Sequence, residues 1–374
     1  MSGISIPTAA AKILRPLAEE ARRRAIALYA VGGPVRDWLL RRANFDIDLA
    51  VAGDPDPVAA AAARLLGGRV ETFGRFGTRR IVAKGKFRLD IATTRAESYP
   101  EPACLPVVDA VRVPIERDLF RRDFTINALA VRLDDGSRAL TDPYGGARDL
   151  KDRVLRVLHP ASFRDDPTRV FRAARFLGRF GYRPASGMIG GVKDTLVSGY
   201  ADRLSSHRRL HELEGILGEK DPRAAFALLK AWGYLALLHL EFPWKRALPA
   251  GVEPRLAALA LARGPAQGRT FVDAFPHAHH RRTLLHETLA LAFSDKSPRV
   301  APDVFAAVAV RRFLPQLAAA ALKPCFLTGA DLIASGLRPG PAFHEVLDAA
   351  AKLQRAGRLK TRSAALSWLS SKAQ

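Results

Sequence analysis

Two aspartates set two apart in an apolar run, Asp46-Ile47-Asp48-Leu49-Ala50-Val51, constrain this chain more than any other feature. In a strand, residues i and i+2 share one face. Both carboxylates therefore converge, and a converging pair binds hard divalent cations through oxygen, Mg²⁺ above all. Just upstream, Tyr29-Ala-Val-Gly-Gly-Pro-Val-Arg-Asp-Trp-Leu-Leu40 reads as strand, tight turn and helix, with Gly32 and Gly33 at the turn. A helix start of that kind offers free backbone N–H groups to a phosphate chain. Each motif alone is commonplace. Together, a phosphate cradle and metal-binding carboxylates point to phosphoryl or nucleotidyl transfer.

Length and charge narrow the partners. At 374 residues the chain is long enough for two or three domains. Its 59 Lys and Arg against 37 Asp and Glu leave a formal charge of +22. Most of that excess is arginine, the side chain suited to bidentate phosphate contacts. Such an excess on a chain that is 48% hydrophobic points to nucleic acid rather than disorder, although codon bias toward Arg and Ala contributes. Two cysteines, Cys104 and Cys325, are too few for a disulfide framework or a zinc site and suit a reducing compartment. No secretory apolar core opens the chain and no apolar run reaches about 18 residues. A soluble, cytoplasmic protein with no membrane span is expected.

Along the chain, residues 8–28 carry the apolar spacing of a helix. From 29 to about 145, short β-like runs alternate with helical segments: Leu28–Val31, Ile47–Val51, Arg79–Ala83, Phe87–Ala92, Ala110–Val113 and Ala128–Leu133. This pattern predicts an α/β (α+β) head over 1–145, with a hairpin turn at Asp134-Asp135-Gly136-Ser137. Beyond 146 the periodicity is helical. It divides into a neck and the start of a body (146–245), then a body and tail (246–374), with a Pro- and Gly-rich joint at 245–270.

Three further motifs carry chemistry. Asp90 lies in the strand-like run Arg88–Arg95; beside the Asp46/Asp48 strand it would be a third acid, accepting a proton or completing a second metal site. In Asp118–Ala130, Arg122 can neutralise a triphosphate and Asp123 can accept from a ribose hydroxyl. In Phe163-Arg-Asp165-Asp166-Pro-Thr-Arg169-Val-Phe-Arg172-Ala-Ala-Arg175, helical spacing puts Asp166, Arg169 and Arg172 in one polar stripe. A carboxylate accepting from an exocyclic amine, beside a guanidinium donating to a ring nitrogen, would bind cytosine and adenine and refuse uracil and guanine. Asp166 with Arg169 is such a pair. The plainer alternative is a solvated, salt-bridged helix face.

Taken in order over residues 29–182, GGPVRDWLL with DIDLAV, LDIATTR, DLFRRDFTINALAV, DPYGGARDLKDRVLRV and FRDDPTRVFRAARFLGRFGY resemble the class II tRNA nucleotidyltransferase/poly(A) polymerase family. A weaker match, LTGADLIASGLRPGPAFHEVLDAA at 327–350, is similar to the family's helical tail. The resemblance implies a nucleotidyltransferase head with a polymerase-β-like sheet, followed by an all-α neck, body and tail. It implies metal ligands at Asp46 and Asp48. Triphosphate and nucleotide contacts fall on Gly33, Arg36, Arg122, Arg169, Arg172 and Arg175, and the base-reading pair on Asp166 and Arg169. It further implies Mg²⁺ as cofactor, with tRNA, CTP and ATP as partners and substrates. Full CCA addition, CC-only or A-only addition, and poly(A) synthesis all stay open, as do a non-catalytic RNA-binding protein and the oligomeric state. The family's Glu before the base-reading Asp is Asp165 here, one methylene shorter. No His-Asp hydrolase module follows, and His277-Ala-His279-His280 reads as a basic surface patch.

Overall fold

The computed structural model describes residues 4–73, 77–83, 87–240, 249–293, 326–337, 341–355 and 358–371. The chain forms two compact units, Met1–Ala247 and Leu248–Gln374. In the first, α1 (Thr8–Arg23) precedes β1 (Leu28–Val31), α2 (Gly33–Leu39), β2 (Asp46–Val51) and α3 (Asp56–Leu66). Next come β3 (Arg69–Phe73), β4 (Thr78–Val82) and β5 (Arg88–Thr93). A ribbon of β6 (Arg95–Ser98) and β7 (Val107–Val111) leads to α4 (Ile115–Phe120), β8 (Ala130–Arg132) and β9 (Leu140–Thr141).

Seven of these strands form one sheet in the order β3-β4-β5-β2-β1-β8-β9. Only β2 and β5 run parallel within it; its other described pairings are antiparallel. All four residues of β1 are buried, as a central strand covered on both faces requires. The mixed head anticipated from the sequence is therefore present, with small differences. The first helix stops at Arg23 rather than running to 28, because the chain turns through a left-handed Ala25 (φ 52°). Strand β3 escaped the sequence reading because it lies at the sheet edge with Val70 exposed, so no apolar run marks it.

The neck begins with α5 (Gly146–Asp152), β10 (Val154–Leu155) and α6 (Ser162–Asp165). It continues through α7 (Thr168–Phe180), β11 (Arg183–Pro184), α8 (Met188–Val197), α9 (Ser206–Leu217) and α10 (Arg223–Ala231). Helix α7 packs on α9 and α10, burying Phe171, Leu213, Ile216 and Phe226. Each such side chain contributes roughly 1.5–3 kcal/mol, whereas an exposed ion pair contributes about 0–1 kcal/mol. Packing holds α7 within the neck, and its Arg172, paired with buried Asp123, ties it to the head.

In the second unit α11 (Val252–Leu261), α12 (Gly264–Asp273) and α13 (His279–Ala292) pack on one another. The helices Gly329–Ala334, Pro341–Arg355 and Arg362–Ser370 enclose a separate core of Leu327, Leu332, Ala350, Leu359, Ala365 and Leu369. Two expectations change here. The 245–270 joint is largely helix, since Pro254 and Pro265 sit near helix starts, where the missing N–H costs nothing. His277 is not on the surface: it is 6% exposed, both ring nitrogens lack a hydrogen-bond partner, and burial with nearby Arg281 and Arg282 pushes its pKa down to about 4. Among the described residues no helix is long and apolar enough to cross a membrane.

Candidate active site

A cleft of about 540 Å³ in the first unit gathers residues from α2, β2, the α4–β8 segment and α7. Strand β2 builds one wall. Ile47 and Leu49 point into the core while Asp46 and Asp48 are exposed, as period-two alternation requires. The Asp46 amide is held by Asn44 Oδ1 at 2.8 Å, and Asn44 Nδ2 donates to Asp37 Oδ2 of α2 at 2.6 Å. The protein around Asp48 pushes its carboxyl up to about 6; Asp46 and Asp90 add like charge, and Arg122 and Arg88 oppose. Desolvation in the cleft is the larger cause; the like charge of Asp46 and Asp90 is the part that a cation would relieve.

The parallel register sets Asp90 directly beside Asp48, as the sequence suggested. Its carboxylate is nevertheless not free. Arg80 Nε and Nη2 clamp both oxygens at 2.8 Å, and Arg88 Nη2 adds a third donor at 3.3 Å. Asp90 therefore stands beside Asp48 as expected, with its oxygens engaged by Arg80 and Arg88. Among the described residues no set of three or more His, Cys, Asp or Glu is placed to hold a metal. Two carboxylates still fit Mg²⁺, which completes its octahedron with water and substrate phosphate.

The Gly-Gly turn does a different job at each glycine. Gly32 has φ +74° and ψ −125°, and its N–H donates to Leu129 O at 2.9 Å. It therefore offers no donor to phosphate, contrary to expectation. A side chain there would meet Arg122 Nη1 at 2.6 Å, so Gly32 makes room for that guanidinium. Pro34 has no N–H, which leaves Gly33 and Val35 as first-turn donors. Arg122 Nη2 donates to Asp118 at 3.2 Å. Burial alone would raise the Asp118 carboxyl, but Arg121 and Arg122 hold it below the usual range.

Arg36 is 5% exposed, donates to Asn127 Oδ1 at 2.6 Å, and lies over the rings of Phe176 and Phe180 on α7. Asn127 Nδ2 donates to Asp123 Oδ1, whose Oδ2 accepts from Arg172 Nε at 2.8 Å and Nη2 at 2.5 Å. Burial opposes ionisation of Asp123, yet Arg172 and Asn127 hold it at about 2. Both Asp123 oxygens are thus engaged within the protein, not open to a ribose hydroxyl.

Asp166 lies just before α7 in extended backbone (φ −136°, ψ 93°), not on the helix, because Pro167 starts the next one. It still faces the cleft with Arg169 and Arg172. Arg169 is 4% exposed and donates to Ser162 Oγ (2.6 Å), Arg121 O (2.9 Å) and Tyr99 Oη (3.3 Å). Arg175 does not line the cleft; its guanidinium lies against Gly215 of α9 and 3.8 Å from Glu219. Phe176 and Arg179, farther along α7, do line the cleft, so Arg175 lies off that stripe around the helix rather than beyond it. Asp165 is near His159, at 4.0 Å.

The sequence reading missed Asn127, Asp118 and Tyr99. Asn127 and Asp118 each sit four residues from a partner, at Asp123 and Arg122, so helical spacing would have found them. Tyr99 carries no local signal.

Residues 28–156 match the poly(A) polymerase head domain family. The chain is 41% identical over 235 residues to the A-adding tRNA nucleotidyltransferase of Geobacter sulfurreducens, covering 63% of this chain and 26% of that one. It is 32% identical over 345 residues to the CC-adding tRNA nucleotidyltransferase of Deinococcus radiodurans, covering 89% and 86%. The solved Thermotoga maritima CCA-adding enzyme, complexed with tRNA, superposes over 99% of this chain and 97% of its own, with a TM-score of 0.58 and 26% identity. The chain spans 26% to 55% of the length of the A-adding relatives it matches.

Proposed function

Because this chain belongs to the tRNA nucleotidyltransferase/poly(A) polymerase family, we propose that it transfers C, A or both from CTP and ATP to the 3′ end of tRNA, releasing pyrophosphate. The observation that carries this reading is the placement of the exposed Asp46/Asp48 pair, with Arg88 Nε 3.4 Å from Asp46 Oδ1, in the same cleft as Asp166 and Arg169. Metal-binding carboxylates and a C- or A-selective edge reader serve one substrate only if it is a nucleoside triphosphate.

In this reading Asp46 and Asp48 hold the metal. When bound, two Mg²⁺ ions would lower the pKa of the attacking 3′-hydroxyl and neutralise charge on the departing pyrophosphate. The Gly33 amide, Arg36 and Arg122 neutralise the triphosphate from the α2 side, and Arg172 does so from α7. Asp166 accepts from the exocyclic amine and Arg169 donates to the ring nitrogen. Residues 1–145 act as the catalytic head, 146–245 as the neck that reads the base, and 246–374 as a basic body and tail for tRNA, recognised by phosphate and shape. A cytoplasmic location suits this substrate.

A second reading, partial addition, is favoured by the A-adding and CC-adding relatives. Labelled CTP or ATP, supplied with Mg²⁺ to tRNA transcripts lacking CCA, ending in CC, or complete, separates them. Ordered addition of both nucleotides means full CCA synthesis. CTP only, ATP only on the CC end, or long A runs each identify one alternative. No incorporation on any transcript overturns the proposal in favour of RNA binding alone.

A further inference from the structure

Resting on the reading of Asp166 as the base-reading acid, we propose that Arg208 is a positioning residue for nucleotide selection: it locks the Asp166 carboxylate so that a single oxygen faces the base. Arg208 sits in the first turn of α9, well outside the motifs that mark the site. Its Nη2 donates to Asp166 Oδ1 at 2.6 Å. The same oxygen accepts from Thr168 N at 2.9 Å and Thr168 Oγ1 at 2.5 Å. Three donors saturate a carboxylate oxygen. Oδ2 takes no hydrogen bond from any described residue, and Asp166 lines the cleft.

The guanidinium is itself fixed. Arg208 Nη1 donates to Ala103 O at 2.6 Å, and Ala103 N–H donates back to Arg164 O and Asp165 O at 3.1 and 3.2 Å. The planar fork thus bridges the chain between β6 and β7 to the α6–α7 junction, a geometry a lysine reproduces only in part.

The consequence is chemical. An ionised carboxylate is acceptor-only. Held with Oδ2 toward the cleft, it attracts the amine of cytosine or adenine and repels the carbonyl at the equivalent position of uracil or guanine. Rotating it away would break three bonds at once. Without Arg208 only the local Thr168 contacts remain, and the acid can retreat from a mismatched carbonyl.

The test uses the full chain with Arg208→Met, Arg208→Lys and Asp166→Ala. It measures kcat and KM for CTP, ATP, UTP and GTP on tRNA transcripts, with melting temperatures alongside. Arg208→Met should raise KM for the preferred nucleotide more than it lowers kcat. It should also weaken discrimination against UTP and GTP by roughly tenfold or more. Arg208→Lys should restore part of both, and Asp166→Ala should lose selection altogether. Wild-type KM and discrimination in Arg208→Met, with selection lost in Asp166→Ala, would overturn the positioning role while leaving the base-reading acid standing. Normal selection in Asp166→Ala would instead remove the base-reading assignment itself. Should Arg208→Met fail to fold, an unchanged KM in Arg208→Lys overturns the proposal.

Discussion

The two ends of the cleft are built on opposite electrostatic principles. At the β2 end, Asp46 and Asp48 are exposed, side by side, and Asp48 is driven toward its neutral form. At the α7 end, each charge is already matched: Asp123 with Arg172, Asp166 with Arg208, Arg169 with neutral oxygens. In the proposed reading a cation would complete the first end, where Arg88 is the neighbouring charge on Asp46. The second is a preorganised frame that holds its shape before any nucleotide arrives. One region gathers like charge at a cost in stability, and the other matches its charges and sets geometry.

Four experiments press on that contrast. The largest effect belongs to the open end. Asp46→Ala with Asp48→Ala should reduce nucleotide incorporation by roughly 10³-fold or more, the metal's contribution being lost. The melting temperature should hold or rise as the repulsion is relieved, and tRNA binding should stay nearly unchanged. Surviving incorporation would show that these acids do not carry the metal.

Removing a charge from the matched end should do the reverse. Asp123→Asn strands Arg172 and should lower unfolding free energy by about 2–4 kcal/mol, read by urea denaturation. A change below about 0.5 kcal/mol, within the range of ordinary surface substitutions, would mean that the pair does not frame the cleft.

Next is the shared turn. Gly32→Ala introduces a strained backbone and a contact on Arg122, which should cost about 1–3 kcal/mol. It should raise KM for the nucleotide by displacing that guanidinium. Unchanged KM would place Arg122 outside triphosphate binding.

The smallest effect is in pH. Asp123 is held at about 2 in the folded state, below its unfolded value near 3.9. The unfolded chain therefore binds the extra proton first, and stability present above about pH 4 is lost as pH falls toward 2. The loss should approach about 2 kcal/mol. Acid titration of the unfolding midpoint should show this limb in the native chain and its absence in Asp123→Asn.

What could be read from the chain followed period and adjacency. Four residues of β1 and the alternation of β2 declared two central strands, and Asp46 and Asp48 could be assigned one face with no knowledge of the sheet. The tail helix at Gly329 was expected from the resemblance of 327–350 to the family's helical tail; the structure adds its cap, formed reciprocally by Thr328 and Asp331. The edge strand β3 did not show, because Val70 is exposed and leaves no apolar run, and of the ribbon only β7 showed, as the overlapping run Ala110–Val113.

Local sequence, then, determined which residues are candidates for the chemistry: paired acids on a strand, a glycine turn, and an acid–arginine step ahead of α7. These are properties of chain geometry over a few residues, where dihedral preferences and side-chain period act alone. Only the tertiary structure decided which of those groups are free to react. Asp90 neighbours Asp48 but is clamped by Arg80, Gly32 gives its N–H to Leu129, Arg175 turns toward α9, and Asp166 is locked by an arginine about forty residues away. A carboxylate's availability depends on the donors that packing brings within hydrogen-bond distance, and those donors come from strands and helices whose meeting no local pattern encodes.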